Sequence, residues 1–139
     1  MYLVRLVYTS NISEDFKPSD IEGILTRARE KNKANDVTGA LCFSGNSFLQ
    51  CLEGSRVRVN KTYHDIMNDP RHKDVIMLGY EEVYKREFSG WSMSYTPESH
   101  VTNVLNMRYS GDSNFTPAEM AGESALGLLL ELGETVPDI

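Results

Sequence analysis

Val37-Thr38-Gly39-Ala40-Leu41-Cys42-Phe43-Ser44-Gly45-Asn46-Ser47-Phe48-Leu49-Gln50-Cys51-Leu52-Glu53-Gly54 reads as a β-hairpin. Gly45-Asn46 forms a two-residue turn of the primed kind, with glycine supplying the positive φ such turns need. The turn sets the register: Ser44 faces Ser47, Phe43 faces Phe48, Leu41 faces Gln50 and Gly39 faces Leu52. Directly opposed residues share a face, so Leu41, Phe43, Phe48 and Leu52 lie together with one polar residue, Gln50. A primary amide carries two donors and two acceptor lone pairs, and leaving such groups unpaired in a core costs about 1–3 kcal/mol. Gln50 therefore needs a polar partner. The commoner solution is backbone or water; the other is a bound ligand, and the hairpin alone does not decide.

The 139 residues suit one domain with a real core. A formal net charge of −6 and scattered basic residues argue against non-specific nucleic-acid binding, which needs a basic surface. No apolar run is long enough to span a membrane. Met1-Tyr2-Leu3-Val4-Arg5 reads as a strand and not as a signal peptide, so a cytoplasmic location is expected. Cys42 and Cys51 fall on the hairpin's other face as diagonal neighbours, a spacing wide for a disulfide, and are expected to be reduced. His64, His72 and His100 are dispersed, and no metal-ligand spacing is present.

Outward from the hairpin, residues 2–9 alternate as a strand, with Tyr2, Val4, Leu6 and Tyr8 on one face. Residues 10–19 hold loop formers. Ser19 or Asp20 is placed to cap a helix whose apolar stripe is Ile21, Ile24, Leu25 and Ala28, with Asn32 at its far end. After Gly54, the residues Val59, Tyr63, Ile66 and Met67 predict a second amphipathic helix, closed at Asp69-Pro70. A fourth strand is expected over 75–83 and a short fifth over 91–95, with Trp91, Met93 and Tyr95 on one face. The spacing predicts one helix over 100–108 and a final helix beginning at Thr116-Pro117, its Leu-rich stripe weakened by Gly122 and Gly127.

The order β-α-β-β-α-β makes the fold class α+β: ferredoxin-like, with a fifth strand and two C-terminal helices. In that topology right-handed crossovers put the first and third strands side by side, with both helices on one face. Tyr8 and Gln50 then sit on adjacent central strands, below Ile24 and Ile66 of the two helices. A flat apolar slot with a few convergent polar groups is what a planar ring system needs.

These residues resemble the BLUF domain, the blue-light sensor that uses flavin, and in particular its short PixD-type members. The resemblance rests on Arg5-Leu6-Val7-Tyr8-Thr9-Ser10, Asn32, the strand 37–42, Phe48-Leu49-Gln50-Cys51-Leu52-Glu53-Gly54, Tyr63-His64, Asp69-Pro70-Arg71-His72 and Trp91-Ser92-Met93. Arg108-Tyr109-Ser110-Gly111 and the Leu-rich end extend it over nearly the whole chain. It implies a photosensory domain over 1–97 and a helical output or oligomerisation extension over 98–139. It implies a non-covalent flavin, FAD with FMN or riboflavin as alternatives, sandwiched by Ile24 and Ile66. Asn32 would bond the pyrimidine edge, Asp69, Arg71 and His72 would lie near the ring and ribityl chain, and Arg29 would meet the phosphate end. The resemblance departs at Lys31, commonly Asn or His in relatives, and at Asp65, basic in close relatives.

The mechanism implied is photochemical. Tyr8 donates an electron and a proton to the excited flavin, and Gln50 rotates or tautomerises between them. A stronger hydrogen bond to the flavin C4 carbonyl then shifts absorption modestly to the red. Trp91 and Met93 would relay the change to the fifth strand and the C-terminal helices. With no enzyme domain to attach, the implied output is a change of homo-oligomeric state or of a response-regulator-like partner's binding, with no catalysis. Two rivals share the scaffold: a light-independent ferredoxin-like interaction domain, and a small acyl-phosphate hydrolase using an Arg and an Asn.

Overall fold

The computed structural model describes residues 2–90 and 92–135. In chain order these form β1 (Leu3–Ile12), α1 (Asp20–Asn35), β2 (Thr38–Ser44), β3 (Ser47–Ser55), α2 (Arg56–Met67), β4 (His72–Glu82), β5 (Ser94–Thr96), α3 (Asn103–Tyr109) and α4 (Gly122–Thr135). The five strands make one sheet in the order β4-β1-β3-β2-β5. Neighbours are antiparallel except β2 and β5, which run parallel. This is the ferredoxin-like arrangement with an added edge strand.

The hairpin register is the expected one at every pair, from Ser44 opposite Ser47 to Gly39 opposite Leu52. Gly45, the first central residue of the turn, has φ 61°. Primed turns match the right-handed twist of the flanking strands, and glycine enters that region without a Cβ penalty.

Alternation in the strands divides the core in two. Val4, Leu6, Tyr8, Leu41, Phe48 and Leu52 meet Leu25 of α1 with Val59 and Tyr63 of α2 on one face. On the other, Val7, Cys42, Leu49 and Cys51 meet Ala125, Leu128, Leu129 and Leu132 of α4. The Leu-rich tail thus covers its own sheet. Both cysteines are free and buried there; burial pushes the Cys42 thiol up to about 12 and raises that of Cys51 as well.

Five expected boundaries move. β1 continues three residues past Thr9, because Asn11 pairs with Ser47 and Ile12 with His72. β4 begins at His72, three residues before its expected start, for the same pairing reason. The expected helix over 100–108 divides into a 3-10 turn at Glu98–His100 and α3, whose start is capped by Thr102 Oγ1 accepting from Leu105 N at 3.2 Å. Pro117 opens only a 3-10 turn, Pro117–Glu119, and α4 starts at Gly122. Strand β5 is Ser94–Thr96, so Met93 precedes it; the expectation for Trp91 falls outside the described residues.

A buried ion pair ties the sheet to the loop before β5. Glu53 is fully buried on β3 and accepts from Arg5 Nε of β1 at 2.8 Å. Its carboxylate also accepts from the backbone N–H groups of Glu87 and Phe88, at 3.0 and 2.8 Å.

Candidate functional site

α1 and α2 cross the same sheet face and leave a slot of about 640 Å³ between them, inside the range of roughly 300–1,000 Å³ typical of small-molecule sites. Its helix walls are two stripes at three- and four-residue spacing: Ile24, Arg27, Ala28, Lys31, Asn32 and Asn35 on α1, and Arg58, Lys61, Thr62, Asp65 and Ile66 on α2. The sheet supplies Tyr8, Leu41, Phe48 and Gln50 as the floor, and Asp69, Arg71 and His72 close one end.

At the floor, Tyr8 and Gln50 are cross-strand partners on β1 and β3. Both are buried, at 1% and 5% exposure. The Tyr8 hydroxyl donates to Gln50 Oε1, and Gln50 Nε2 lies 3.4 Å from the Met93 sulfur. A chain phenol–amide–thioether therefore runs along the bottom of the slot. A thioether is a weak acceptor, so the amide N–H is poorly satisfied in this arrangement. Burial, reinforced by Tyr63 and Asp69, pushes the Tyr8 phenol far above its usual range and keeps it protonated. The Tyr63 ring lies 5.5 Å away, centroid to centroid.

The closing end is polar and held. Asp69 accepts from Arg71 Nη2 at 2.7 Å and from Arg71 Nε at 3.0 Å. That hydrogen bonding holds the Asp69 carboxyl below its ordinary range despite partial burial. His72 Nδ1 is 2.8 Å from Ser10 Oγ, and its ring stacks obliquely on Phe48 at 4.8 Å. Burial lowers the imidazole pKa, which Asp69 partly restores.

Eight of the residues expected at a flavin site converge here: Tyr8, Ile24, Asn32, Gln50, Ile66, Asp69, Arg71 and His72 all line the slot. Arg29 does not. Its Nε donates to the Met93 carbonyl at 3.0 Å. The cause is helical phase. On α1, Asn32 sits at the edge of the stripe that Ile24, Ala28 and Lys31 present to the slot, and Arg29 lies one step outside it. Lys31 lines the slot, and Asp65 does too, paired with Lys61 at 3.6 Å. Sequence reading missed Arg27, Arg58 and Lys61 as slot-lining cations; the available signal was Arg27 three residues after Ile24, and Arg58 at the head of the four-residue steps through Thr62 to Ile66, with Lys61 beside them.

The chain matches the family model described as BLUF, sensors of blue-light using FAD, over residues 3–94. This chain belongs to the BLUF family. BLUF domains bind flavin as chromophore and sense blue light. Among curated relatives, the blue light- and temperature-regulated antirepressor BluF of Escherichia coli (strain K12) is 37% identical over 86 residues, covering 62% of this chain and 21% of the relative. The photoactivated adenylate cyclase subunit beta of Euglena longa is 28% identical over 97 residues, 69% of this chain and 11% of the relative. The chain thus spans about a fifth of the first relative and about a tenth of the second. Solved structures match over more of it. BlsA in its photo-activated state is 30% identical with a TM-score of 0.84, covering 94% of both chains. BlrB, a BLUF protein in its dark state, is 25% identical with a TM-score of 0.79 over 94% of both.

The residues of the slot fit a flavin. Ile24 and Ile66 line the slot from the two helices, and the buried Gln50 amide donates its N–H to a thioether among the described residues. Asn32 Nδ2 donates to Ser92 O at 2.8 Å, leaving its carbonyl oxygen for a further donor. Among the described residues, no helix is long and apolar enough to cross a membrane.

Proposed function

We propose that this chain is a blue-light receptor in which Tyr8 and Gln50 carry the photochemistry and Met93 the first step of output. The observation that carries the proposal is the phenol–amide–thioether chain under the slot. Ile24 and Ile66 hold the isoalloxazine between them, Asn32 addresses its pyrimidine edge, and Asp69, Arg71 and His72 address the ring and ribityl side. Arg27, Lys31, Arg58 and Lys61 add positive charge on the rim, which suits the phosphates of FAD or FMN over riboflavin. When bound, the flavin supplies blue-light absorption and, once excited, a strong electron acceptor.

Tyr8 is the oxidisable group at hand, and its proton already rests on a hydrogen bond to Gln50 Oε1. The Gln50 amide is a donor at one end and an acceptor at the other, so turning it exchanges both its partners. Its N–H leaves the Met93 sulfur, and the segment leading into β5 feels the change.

Output passes to the region after residue 97, which we propose acts as the output part of the chain. Support for this comes from β5 pairing with β2 beside Gln50's strand, and from Gly45 N donating to Glu98 at 3.0 Å. The antirepressor relative supports an output by protein binding. A change of homo-oligomer or of a response-regulator-like partner's affinity follows, in the cytoplasm and without catalysis by this chain. The test is a light-minus-dark spectrum of the purified protein, with size-exclusion chromatography in both states. A light-induced red shift with a change in elution supports the reading; an unchanging spectrum overturns it.

A further inference from the structure

The segment before β5 is held to α1 by two hydrogen bonds onto consecutive backbone carbonyls. Asn32 Nδ2 donates to Ser92 O at 2.8 Å, and Arg29 Nε donates to Met93 O at 3.0 Å. Arg29 is half-buried, Asn32 and Met93 are buried, and the Met93 sulfur is the partner of the Gln50 amide. Met93 has a long, flexible side chain, so the place of its sulfur depends on where its backbone is fixed.

We propose that Arg29 is a positioning residue for the photocycle: it clasps the Met93 carbonyl and thereby keeps the Met93 sulfur where the Gln50 amide returns to it. This rests on the photosensory reading above and adds to it a residue off the flavin slot. Asn32 faces both the slot and the clasp, whereas Arg29 serves the clasp and does not line the slot. A guanidinium donor to a carbonyl is a charge-assisted bond, among the stronger single hydrogen bonds available. It also joins α1, one wall of the slot, to the strand that leads toward the tail.

The experiment is a double-mutant cycle on the full chain, read by dark recovery of the red-shifted state after blue light. Arg29→Ala is expected to keep flavin content near wild type and to lower the thermal midpoint by a few degrees. Recovery should slow about tenfold, the weight of one charge-assisted bond in the return step. In a Met93→Ala background the same change should alter recovery less than twofold, because the sulfur it positions is gone. Arg29→Lys, which keeps a cationic donor, should restore part of the rate. Recovery unchanged or faster in Arg29→Ala would overturn the assignment. So would an equal effect in both backgrounds, which marks a merely structural role, or loss of flavin, which returns Arg29 to the cofactor. If Arg29→Ala fails to fold, the comparison of Arg29→Lys with wild type in both backgrounds decides by the same criterion. A wild-type chain that binds flavin but shows no shift sinks the photosensory reading itself, and this assignment with it. A cycling wild type with an indifferent Arg29 sinks the assignment alone.

Discussion

The hydroxyl of Tyr8 on β1 donates to Oε1 of Gln50, its direct cross-strand partner on β3, beneath a slot walled by two helices. Antiparallel pairing places the two Cα atoms opposite each other, and strand alternation turns both side chains to the helix face. Leu6 and Leu52, two residues along each strand, form the next such pair and are purely apolar. The polar pair is therefore a local exception in a hydrophobic layer.

Gln50→Leu preserves the shape of the floor and removes both ends of the amide. It should retain flavin and lose the light-induced red shift entirely. Tyr8→Phe removes the electron and proton donor and should also bind flavin without the normal cycle. Difference spectra under blue light check both; a full cycle in either variant refutes that residue's role.

Glu53 is a buried, multiply bonded stability determinant outside the slot. Glu53→Ala leaves Arg5, at 9% side-chain exposure, facing a gap and frees two backbone N–H groups. Breaking a buried pair from one side costs about 3–5 kcal/mol. The exposed pair Arg56–Glu82 should be worth under about 1 kcal/mol when Arg56 becomes Ala. Urea midpoints of the two variants should separate accordingly.

The sign of the His72 contribution follows from its lowered pKa. The unfolded imidazole takes its proton near pH 6.5, roughly the model-peptide value, and the folded one at lower pH. Between those values the unfolded chain holds more protons, so stability declines as pH falls below about 6.5 and levels once the folded group also titrates. Asp69, held below its ordinary range by Arg71, acts in a separate and more acidic window, losing its contribution below about pH 4. Thermal midpoints against pH should show a flatter slope just below about pH 6.5 in His72→Gln than in wild type.

Gly122 opens α4 against the backbone of β4. A Cβ there would lie 2.7 Å from the Leu78 carbonyl oxygen and 3.3 Å from Gly79 Cα. Leu78 is the extra residue where the β1–β4 register shifts, between Val7–Gly79 and Tyr8–Met77. Gly122→Ala should cost about 1–3 kcal/mol by overpacking, read as a lower denaturation midpoint with the slope unchanged. A neutral result would mean that α4 slides off β4 freely.

The hairpin register was legible because one turn glycine counts every pair from Ser44–Ser47 outward. From it, with the topology, came the meeting of Tyr8 and Gln50. The extra turnward length of β1 was not legible, because Asn11 and Ile12 have loop-like neighbours and are drawn into the sheet by partners far along the chain, Ser47 and His72. The Arg29 contact was not legible for a related reason. A cation on a cofactor-lining helix suggests a phosphate, whereas the side chain donates to the Met93 carbonyl, a partner 64 residues along the chain. A Leu stripe alone does not name its partner surface; α4 covers Cys42, Leu49 and Cys51 of its own sheet.

The central claim is that Tyr8, Gln50 and a bound flavin act as one photochemical unit. The most direct measurement is the absorption spectrum of the purified protein before, during and after blue illumination. The account predicts a yellow protein whose flavin bands move slightly to the red in light and return in darkness. A colourless protein that takes up no added flavin, or flavin bands that stay fixed under illumination, would contradict it.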